Sequence, residues 1–469
     1  MTLVDAGAGT SGVAGVGELV IRTDAARAFD PIALYAAGVE AGLEAALWMR
    51  PSEDLALVGL GRAWAVDAEG DDRFATAGAA WRALIADLTG RDRIAADDPS
   101  QPRGVGPVLL GGLGFTGRVP AADDVWAPFG AASLVLPAFI AARTADGAWI
   151  TTTTAEGGDG PGVRRWDRTL VRARELTPAP TALVARPVST PLRVVEERPD
   201  RALWDRTVGL FAGAVGRGRM DKVVLARRVV MASPADLDVE NALRRLAASA
   251  PESTVFAFRR GSRTFLGATP ERLIRTAGRS FHTVAIAGSI RRGAAAEEDA
   301  ALAAELLASE KDREEHAVVV AALRDRLAPI CERLDIEPRP RVIALRSVQH
   351  LITEISGTVR QREDLLALAG RLHPTPAVGG EPRDLALTLI DEHEGFDRGW
   401  YAGPIGWLGA DGDGEMMVAL RSGVVDHTRA TLFAGCGIVA DSDAAREWDE
   451  SRLKLRVVAA ALGRPGDEP

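Results

Sequence analysis

Two short acidic segments carry the clearest potential for chemistry in this sequence of 469 residues. Asp312 and Glu315 are three positions apart, so they share one face if their segment is helical. Glu447 and Glu450 repeat that spacing later in the chain, with Lys454 one turn further on. Carboxylate oxygens are the ligands that Mg²⁺ prefers, so two such helices together could hold that ion. Solvated helix faces with surface ion pairs are the alternative for each segment taken alone.

Three other charged residues sit where burial is expected. Lys222 begins an apolar strand-like run, and a desolvated lysine can lose its proton and act as a base, although many such lysines extend to water. Glu271 follows a turn between two strand-like runs, where its carboxyl group could be an acid of raised pKa or could pair with Arg272. Arg421 lies in a strand suited to burial and needs an anion, either a substrate carboxylate or a structural Asp or Glu.

Glycine and proline mark the backbone that could approach a ligand. Two prolines and two glycines between His373 and Gly380 suit neither a helix interior nor a central strand, so we expect an ordered loop. An ordinary surface turn is the alternative. Gly288 is expected to end a strand, and Gly435 belongs to a run, 434–438, that is expected to interrupt one. Glycines at such places allow close backbone approach to a ligand.

The elements that must position these residues follow from hydrophobic periodicity. In the first part we expect short strands at 18–22, 55–59, 108–112 and 149–154, and helices at 31–49 and 75–88. In the second part we expect strands at 222–231, 254–259, 281–290, 353–359, 415–425 and 430–440, and helices at 201–216, 295–333 and 444–462. Residues 177–200 are expected to connect the two parts. Grouped strands with long helices, without regular alternation, predict an α+β fold with large antiparallel sheets.

Composition narrows the class of protein. Hydrophobic residues make up 47% and charged residues 26% of the chain, and the net charge is -9 with no long basic block, so we expect no binding to nucleic acid or to a membrane. Cys331 and Cys436 are far apart and lack metal-ligand spacing, which fits a reducing cytoplasm. The first residues lack the pattern of an export signal, and 1–17 are expected to form a disordered tail.

A family resemblance rests on the order of nine short motifs between about residues 200 and 462. In chain order these are KVVLAR, TPERL, AIAGSIRRG, SEKDREEH, VQHL, HPTPAVGG, VALRS, AGCGIV and EWDESRLK. In this order the sequence resembles the chorismate-utilising enzymes, which include isochorismate, salicylate, anthranilate and aminodeoxychorismate synthases. The members that add water carry a lysine at the position that matches Lys222. The lyase members tend to carry threonine at the position that matches Ala377. The likeness is therefore closest to the isochorismate synthases.

That resemblance implies a Mg²⁺-dependent isomerisation of chorismate to isochorismate, by addition of water at C2 and loss of the C4 hydroxyl. Lys222 would be the general base and Glu271 the general acid, because water is a poor nucleophile and hydroxide a poor leaving group. The alternatives are a salicylate synthase, which goes on to eliminate pyruvate, and a catalytically silent regulator that binds chorismate. The sequence leaves open whether the product serves menaquinone, siderophore or salicylate biosynthesis.

The same resemblance assigns the remaining site residues. Glu315 and Glu450 match the metal ligands of the family, and Asp312 and Glu447 are expected beside them. The residues that would contact substrate are Gly288, Ser289, His350, Thr375, Ala377, Arg421, Gly435 and Lys454.

The family's organisation is implied as well. Its fold is an α/β sandwich in which two similar halves pack large antiparallel sheets together, with helices outside. Residues 18–469 would form a single chorismate-binding domain, with a variable N-terminal half (18–195) and a catalytic C-terminal half (196–465). We expect a monomer or homodimer that acts without an amidotransferase subunit.

Overall fold

A computed structural model describes residues 19–91, 102–155, 185–186, 190–344 and 348–466. The expected tail at 1–17 lies outside these ranges, as do 177–184 and 187–189 of the expected connection at 177–200. The helices are α1 (Pro31–Glu40), α2 (Arg73–Gly90), α3 (Arg201–Gly216), α4 (Val239–Ser249), α5 (Ala296–Ala308), α6 (Glu310–Leu327), α7 (Leu365–Leu372), α8 (Arg383–His393) and α9 (Ala444–Leu462). Among the described residues, none of these helices combines the length and hydropathy of a membrane span.

The strands of the first part and its border are β1 (Leu19–Ala26), β2 (Ala45–Arg50), β3 (Leu55–Leu60), β4 (Trp64–Asp67), β5 (Val108–Leu113), β6 (Ala132–Leu136), β7 (Phe139–Thr144), β8 (Gly147–Ala155) and β9 (Pro191–Arg198). The next are β10 (Lys222–Ala232), β11 (Thr254–Arg260), β12 (Arg263–Thr269), β13 (Arg272–Ala277), β14 (Ser280–Arg291), β15 (Cys331–Ile336), β16 (Arg341–Ala344) and β17 (Val348–Val359). The last are β18 (Gly380–Glu381), β19 (Pro404–Gly409), β20 (Gly414–Val418), β21 (Ser422–Asp426), β22 (Arg429–Ile438) and β23 (Arg464–Pro465).

These strands form two large sheets. The larger has the order β1-β8-β7-β3-β2-β11-β12-β21-β22-β10-β9-β23, with β18 also paired to β10. The smaller has the order β15-β17-β14-β13-β20-β19-β5-β6-β4, with β16 also paired to β17. Among the described strands the pairing is antiparallel, except that the short β23 runs parallel to β9. Both sheets combine strands from the two parts of the chain, and the predicted class with large antiparallel sheets is confirmed.

Alternation along the central strands explains the layers. Trp48 of β2 and Phe256 of β11 belong to a core that also contains Leu110 of the smaller sheet. Their neighbours Leu47 and Val255 belong to a second core, which packs against α1, α4 and α9. Because successive side chains of a strand point to opposite faces, the larger sheet lies between the smaller sheet and these three helices. Both faces are apolar, so these strands read as continuous hydrophobic runs.

Two predicted helices are wrong in extent. The helix expected at 31–49 ends at Glu40, and 45–50 form β2, because a short apolar run does not distinguish a buried strand from a helix. The helix expected at 295–333 is two helices, since the Ser309 hydroxyl accepts a hydrogen bond from Asp312 N (3.2 Å) and caps a new helix there. The chain then turns into β15 from Cys331.

Several strand predictions also need correction. The strand expected at 415–425 is broken at 419–421, where Arg421 has a left-handed backbone (φ 49°). Gly288 does not end a strand, because β14 continues through a bulge at this residue. The run 434–438 does not interrupt β22, which continues to Ile438. In the expected connection, 191–198 form β9, which pairs with β10. The expected border between halves, at 195/196, therefore falls inside a strand.

Candidate active site

A cavity of about 450 Å³ gathers residues from both sheets, from α6 and α9, and from the loop before β18. Thirteen of the fourteen residues predicted from the sequence line it: Lys222, Glu271, Gly288, Ser289, Asp312, Glu315, His350, Ala377, Arg421, Gly435, Glu447, Glu450 and Lys454. Thr375 is the exception. It is buried within the loop and does not line this cavity.

Lys222 begins β10 with its side chain only 1% exposed, and its Nζ lies 2.7 Å from Glu315 Oε1 on α6. The adjacent strand leaves room for this pair because residue 437 is glycine. A Cβ atom there would lie 2.5 Å from both Glu315 Oε1 and Lys222 Cε. The strand, the helix and this glycine therefore fix the position of the Lys222 side-chain nitrogen together.

Glu271 lies between β12 and β13, where the chain passes from the larger sheet to the smaller one. Burial raises the pKa of its carboxyl group to about 7, although the nearby charges of Lys222 and Arg421 act in the opposite direction. The alternative pairing with Arg272 is not formed, because Arg272 Nε donates to Glu415 instead (2.5 Å). Glu271 is thus a carboxylic acid that holds its proton close to neutral pH.

His350 is neutral, and its tautomer follows from its neighbours. Arg421 Nη2 lies 3.2 Å from His350 Nε2, and a guanidinium only donates, so Nε2 is the acceptor. The proton is then on Nδ1, which faces Ser289 Oγ (2.8 Å) and the carbonyl oxygen of Gly288 (3.3 Å). Burial and the charge of Arg421 lower the pKa of His350 to about 3. This chain of contacts orients Arg421 toward the cavity, and no Asp or Glu among the described residues forms an ion pair with it.

Lys454 on α9 lines the same cavity. Its Nζ donates to the carbonyl oxygen of Gly435 (2.8 Å) and lies 2.6 Å from Glu450 Oε1. Burial alone would raise the pKa of Glu450, but the charge of Lys454, its hydrogen bond to the carboxylate and the charge of Arg421 together lower the pKa. Glu450 is therefore held as a carboxylate.

Four carboxyl groups from α6 and α9 meet at one side of the cavity: Asp312, Glu315, Glu447 and Glu450. Burial, followed by the negative charge of Glu450, raises the pKa of Glu447 to about 7. Burial also raises the pKa of Asp312, with a contribution from Glu315. Like charges gathered in this way favour a divalent cation, and a donor set of oxygen atoms fits Mg²⁺.

Cys436 lies close to Glu447 and Glu450, and its thiol contacts the backbone. Its Sγ donates to the carbonyl oxygen of Glu447 (3.2 Å), and burial raises the pKa of the thiol well above its ordinary value. Mg²⁺ prefers oxygen ligands, so the carboxyl groups suit this ion better than the thiol does.

The proline and glycine loop is ordered, and Ala377 and Val378 line the cavity. Arg398 Nη1 donates to the Val378 carbonyl oxygen (2.7 Å), and Val224 N donates to the Gly379 carbonyl oxygen (2.8 Å). The loop is thereby attached to β10 two residues from Lys222.

Sequence reasoning missed several residues of the lining, among them Lys311, Tyr401, Gly437 and Arg446. Burial raises the pKa of the Tyr401 phenol to about 12, so it can only act as a neutral hydrogen-bonding group. Lys311 and Gly437 lie within motifs already recognised, and attention to every polar or glycine position there would have found them. Tyr401 follows α8 in a segment that no pattern marked.

Comparison with known proteins gives the class. The family model described as chorismate binding enzyme matches residues 13–463, and the chain belongs to that family. The chain is 37% identical over 445 residues to the salicylate biosynthesis isochorismate synthase of Pseudomonas aeruginosa, with 93% of this chain and 88% of the relative covered. It is 32% identical over 423 residues to the isochorismate synthase MenF of Bacillus subtilis, covering 89% and 87%.

A solved structure supports the same fold. The menaquinone-specific isochorismate synthase MenF of Escherichia coli superposes with a TM-score of 0.73 at 25% identity, and the match covers 95% of each chain. The predicted fold family is therefore confirmed.

Proposed function

We propose that this protein is an isochorismate synthase that converts chorismate to isochorismate. The observation that carries the proposal is that one cavity is lined by a buried lysine, a buried carboxylic acid and a cluster of carboxylates. Isomerisation by water addition needs a base and an acid acting on one bound ring. Nearly full-length similarity to two isochorismate synthases supports the same reaction.

In this proposal Lys222 takes the proton from the water that attacks C2, and Glu271 protonates the departing C4 hydroxyl. Glu271 suits that role because its pKa of about 7 keeps much of it protonated near neutral pH. Arg421 and Lys454 bind the two carboxylates of the substrate by charge-assisted hydrogen bonds. Neutral His350 keeps the Arg421 guanidinium oriented toward that anion.

Glu315 and Glu450 would hold Mg²⁺, with Asp312 and Glu447 beside them. When bound, the ion supplies positive charge at the ring carboxylate and draws electron density from the diene. The residues themselves keep a set of hard oxygen donors in place on two helices, at the end of the cavity where Lys222 meets Glu315.

The decisive experiment is incubation of the purified protein with chorismate and Mg²⁺, followed by chromatography of the products. We expect isochorismate to accumulate and chorismate to remain at equilibrium with it. Fluorescent salicylate formed without a second enzyme would instead identify a salicylate synthase, and binding without conversion would identify a regulator.

A variant of the proposed base adds a second check. Lys222→Met keeps the buried stem but lacks the amine, so kcat should fall by at least about 100-fold. Arg446→Met, which removes an exposed cation from the same cavity, is the matched control and should retain activity. Near-normal turnover in Lys222→Met would exclude Lys222 as the base.

A further inference from the structure

Three lysine side chains face three of the cavity's carboxyl groups, one to one. The pairs are Lys222 with Glu315 at 2.7 Å, Lys454 with Glu450 at 2.6 Å, and Lys311 with Glu447 at 3.5 Å. The first two lysines have roles in the proposed reaction. Lys311 has none, although it lines the same cavity.

Lys311 is also held least firmly. Its side chain is 40% exposed, against 1% for Lys222 and 11% for Lys454. Lys222 is enclosed beside Gly437, and Lys454 has a second partner in the Gly435 carbonyl oxygen. Lys311 lies in the first turn of α6, so a change of rotamer can move its ammonium group into water.

Its partner, in contrast, needs a counter-charge. The side chain of Glu447 is only 5% exposed, and an unpaired carboxylate at such a place destabilises the fold. A divalent ion bound at the neighbouring carboxylates would supply that counter-charge and would repel the ammonium group. The lysine and the metal therefore compete for the same negative charge.

We propose that Lys311 is a stand-in cation, which neutralises Glu447 in the metal-free protein and moves away when the divalent metal binds. The inference rests on the Mg²⁺ site of the proposed function. Its consequence is a coupling between the two cations: the ion pair lowers the metal affinity, and the metal weakens the ion pair by the same factor. Lys311 would thus set the Mg²⁺ concentration at which the site fills.

The test is calorimetric titration of the protein with MgCl₂ alone, without substrate, at physiological ionic strength. In Lys311→Met we expect the Mg²⁺ dissociation constant to fall by about five- to tenfold. We also expect the melting temperature to drop by about 2 °C without metal and to match the wild type with saturating Mg²⁺. Lys311→Arg keeps the charge and should behave like the wild type.

Arg446→Met is the control, because Arg446 is an exposed cation of the same cavity, and among the described residues it has no ion pair with a carboxylate. It should leave the Mg²⁺ dissociation constant unchanged. An unchanged or weaker Mg²⁺ affinity in Lys311→Met, with normal binding by the wild type, would overturn the stand-in role alone. A wild-type protein that binds no Mg²⁺ would overturn this inference and the metal of the proposed function together.

Discussion

Glu271 illustrates how one residue can favour catalysis at the expense of stability. Its proton is held by burial, with a pKa of about 7, and in the proposed reaction Glu271 must carry that proton as the general acid. The protonated fraction falls as pH rises through 7, so we expect kcat/KM to decline above about pH 7. Glu271→Gln cannot donate and should reduce kcat by at least about 100-fold. A pH–rate profile of the wild type, with product assays of the variant, checks both expectations.

The same residue predicts an opposite effect on stability. Because the folded-state pKa is raised above the ordinary 4.5, the folded protein binds the proton more tightly, and stability falls as pH rises from about 4.5 to 7. Glutamine carries no such charge. Glu271→Gln should therefore match the wild type at pH 4.5 and be more stable by about 1–3 kcal/mol at pH 8, measured by urea denaturation. Glu305→Gln, at an exposed position, is the control. If the Glu271 variant had the same stability as the wild type at both pH values, the raised pKa of Glu271 would be contradicted.

At the scale of elements, strand β22 gives the site its room. A Cβ at Gly437 would collide with Lys222 Cε and Glu315 Oε1, whereas the strand's own pairing does not require glycine. Gly437→Ala should therefore keep the fold but displace Lys222, the proposed base, and a displacement of about 1 Å would lower kcat by roughly 100-fold. Gly209→Ala, where nothing lies within 4 Å of the added Cβ, should keep full activity. Steady-state kinetics of the two folded variants tests this expectation. Equal kcat values for both variants would mean that Gly437 does not position Lys222.

A buried ion pair joins the loop to β10. Arg398 and Glu394 are 3% and 1% exposed, and they contact the backbone of Val378, Val224 and Ala226. Arg398→Met leaves Glu394 buried and unpaired, so the free energy of unfolding should fall by about 3–5 kcal/mol. Glu394→Leu combined with Arg398→Met should recover part of that loss in a double-mutant cycle.

The control for that cycle is the exposed pair of Arg118 and Asp391, at 2.7 Å, with both side chains 60% exposed. The corresponding variants should change the free energy of unfolding by less than about 1 kcal/mol. A loss of similar size at both pairs would mean that the buried pair does not have the predicted structural role.

Local signals explain which elements could be predicted. Helices 201–216 and 444–462 were predicted with their observed bounds, and Asp200 and Asp443 cap them by accepting hydrogen bonds from Leu203 N and Arg446 N. Apolar runs such as 45–50 show neither the helical nor the strand periodicity of hydrophobic residues. Whether such a run forms a helix or a strand depends on what covers its two faces. That covering comes from distant parts of the chain.

The candidate site could likewise be predicted only where it does not depend on packing between distant parts of the chain. Residue types and motif order predicted most of the cavity's lining, because each chemical group is visible in the sequence. The contact between Lys222 and Glu315 was not visible, since it depends on how β10 and α6 pack. The space beside Gly437 and the burial of Thr375 outside the cavity lining depend equally on packing.

At the scale of the whole molecule, the two sheets create the cavity where the chain crosses between them. Residues of the larger sheet face residues of the smaller sheet across it, and two helices close one side. The acidic residues of the lining are Glu271, Glu305, Asp312, Glu315, Glu447 and Glu450, and the basic ones are Lys222, Lys311, Arg421, Arg446 and Lys454. An acidic protein with such a balance does not attract a dianion by net charge. Positive charge supplied by a bound metal ion would therefore strengthen binding of the substrate.

This balance predicts that metal removal acts on substrate binding as well as on turnover. In Lys222→Met, which should bind chorismate without converting it, treatment with EDTA should weaken chorismate binding by at least about tenfold, and added Mg²⁺ should restore it. Titration calorimetry measures the affinity, with NaCl of matched ionic strength as the control for screening. Reciprocity supplies an internal check, because chorismate must tighten Mg²⁺ binding by the same factor. Equal chorismate affinity with and without the metal would mean that Arg421 and Lys454 alone hold the anion, and that the four carboxylates serve another purpose.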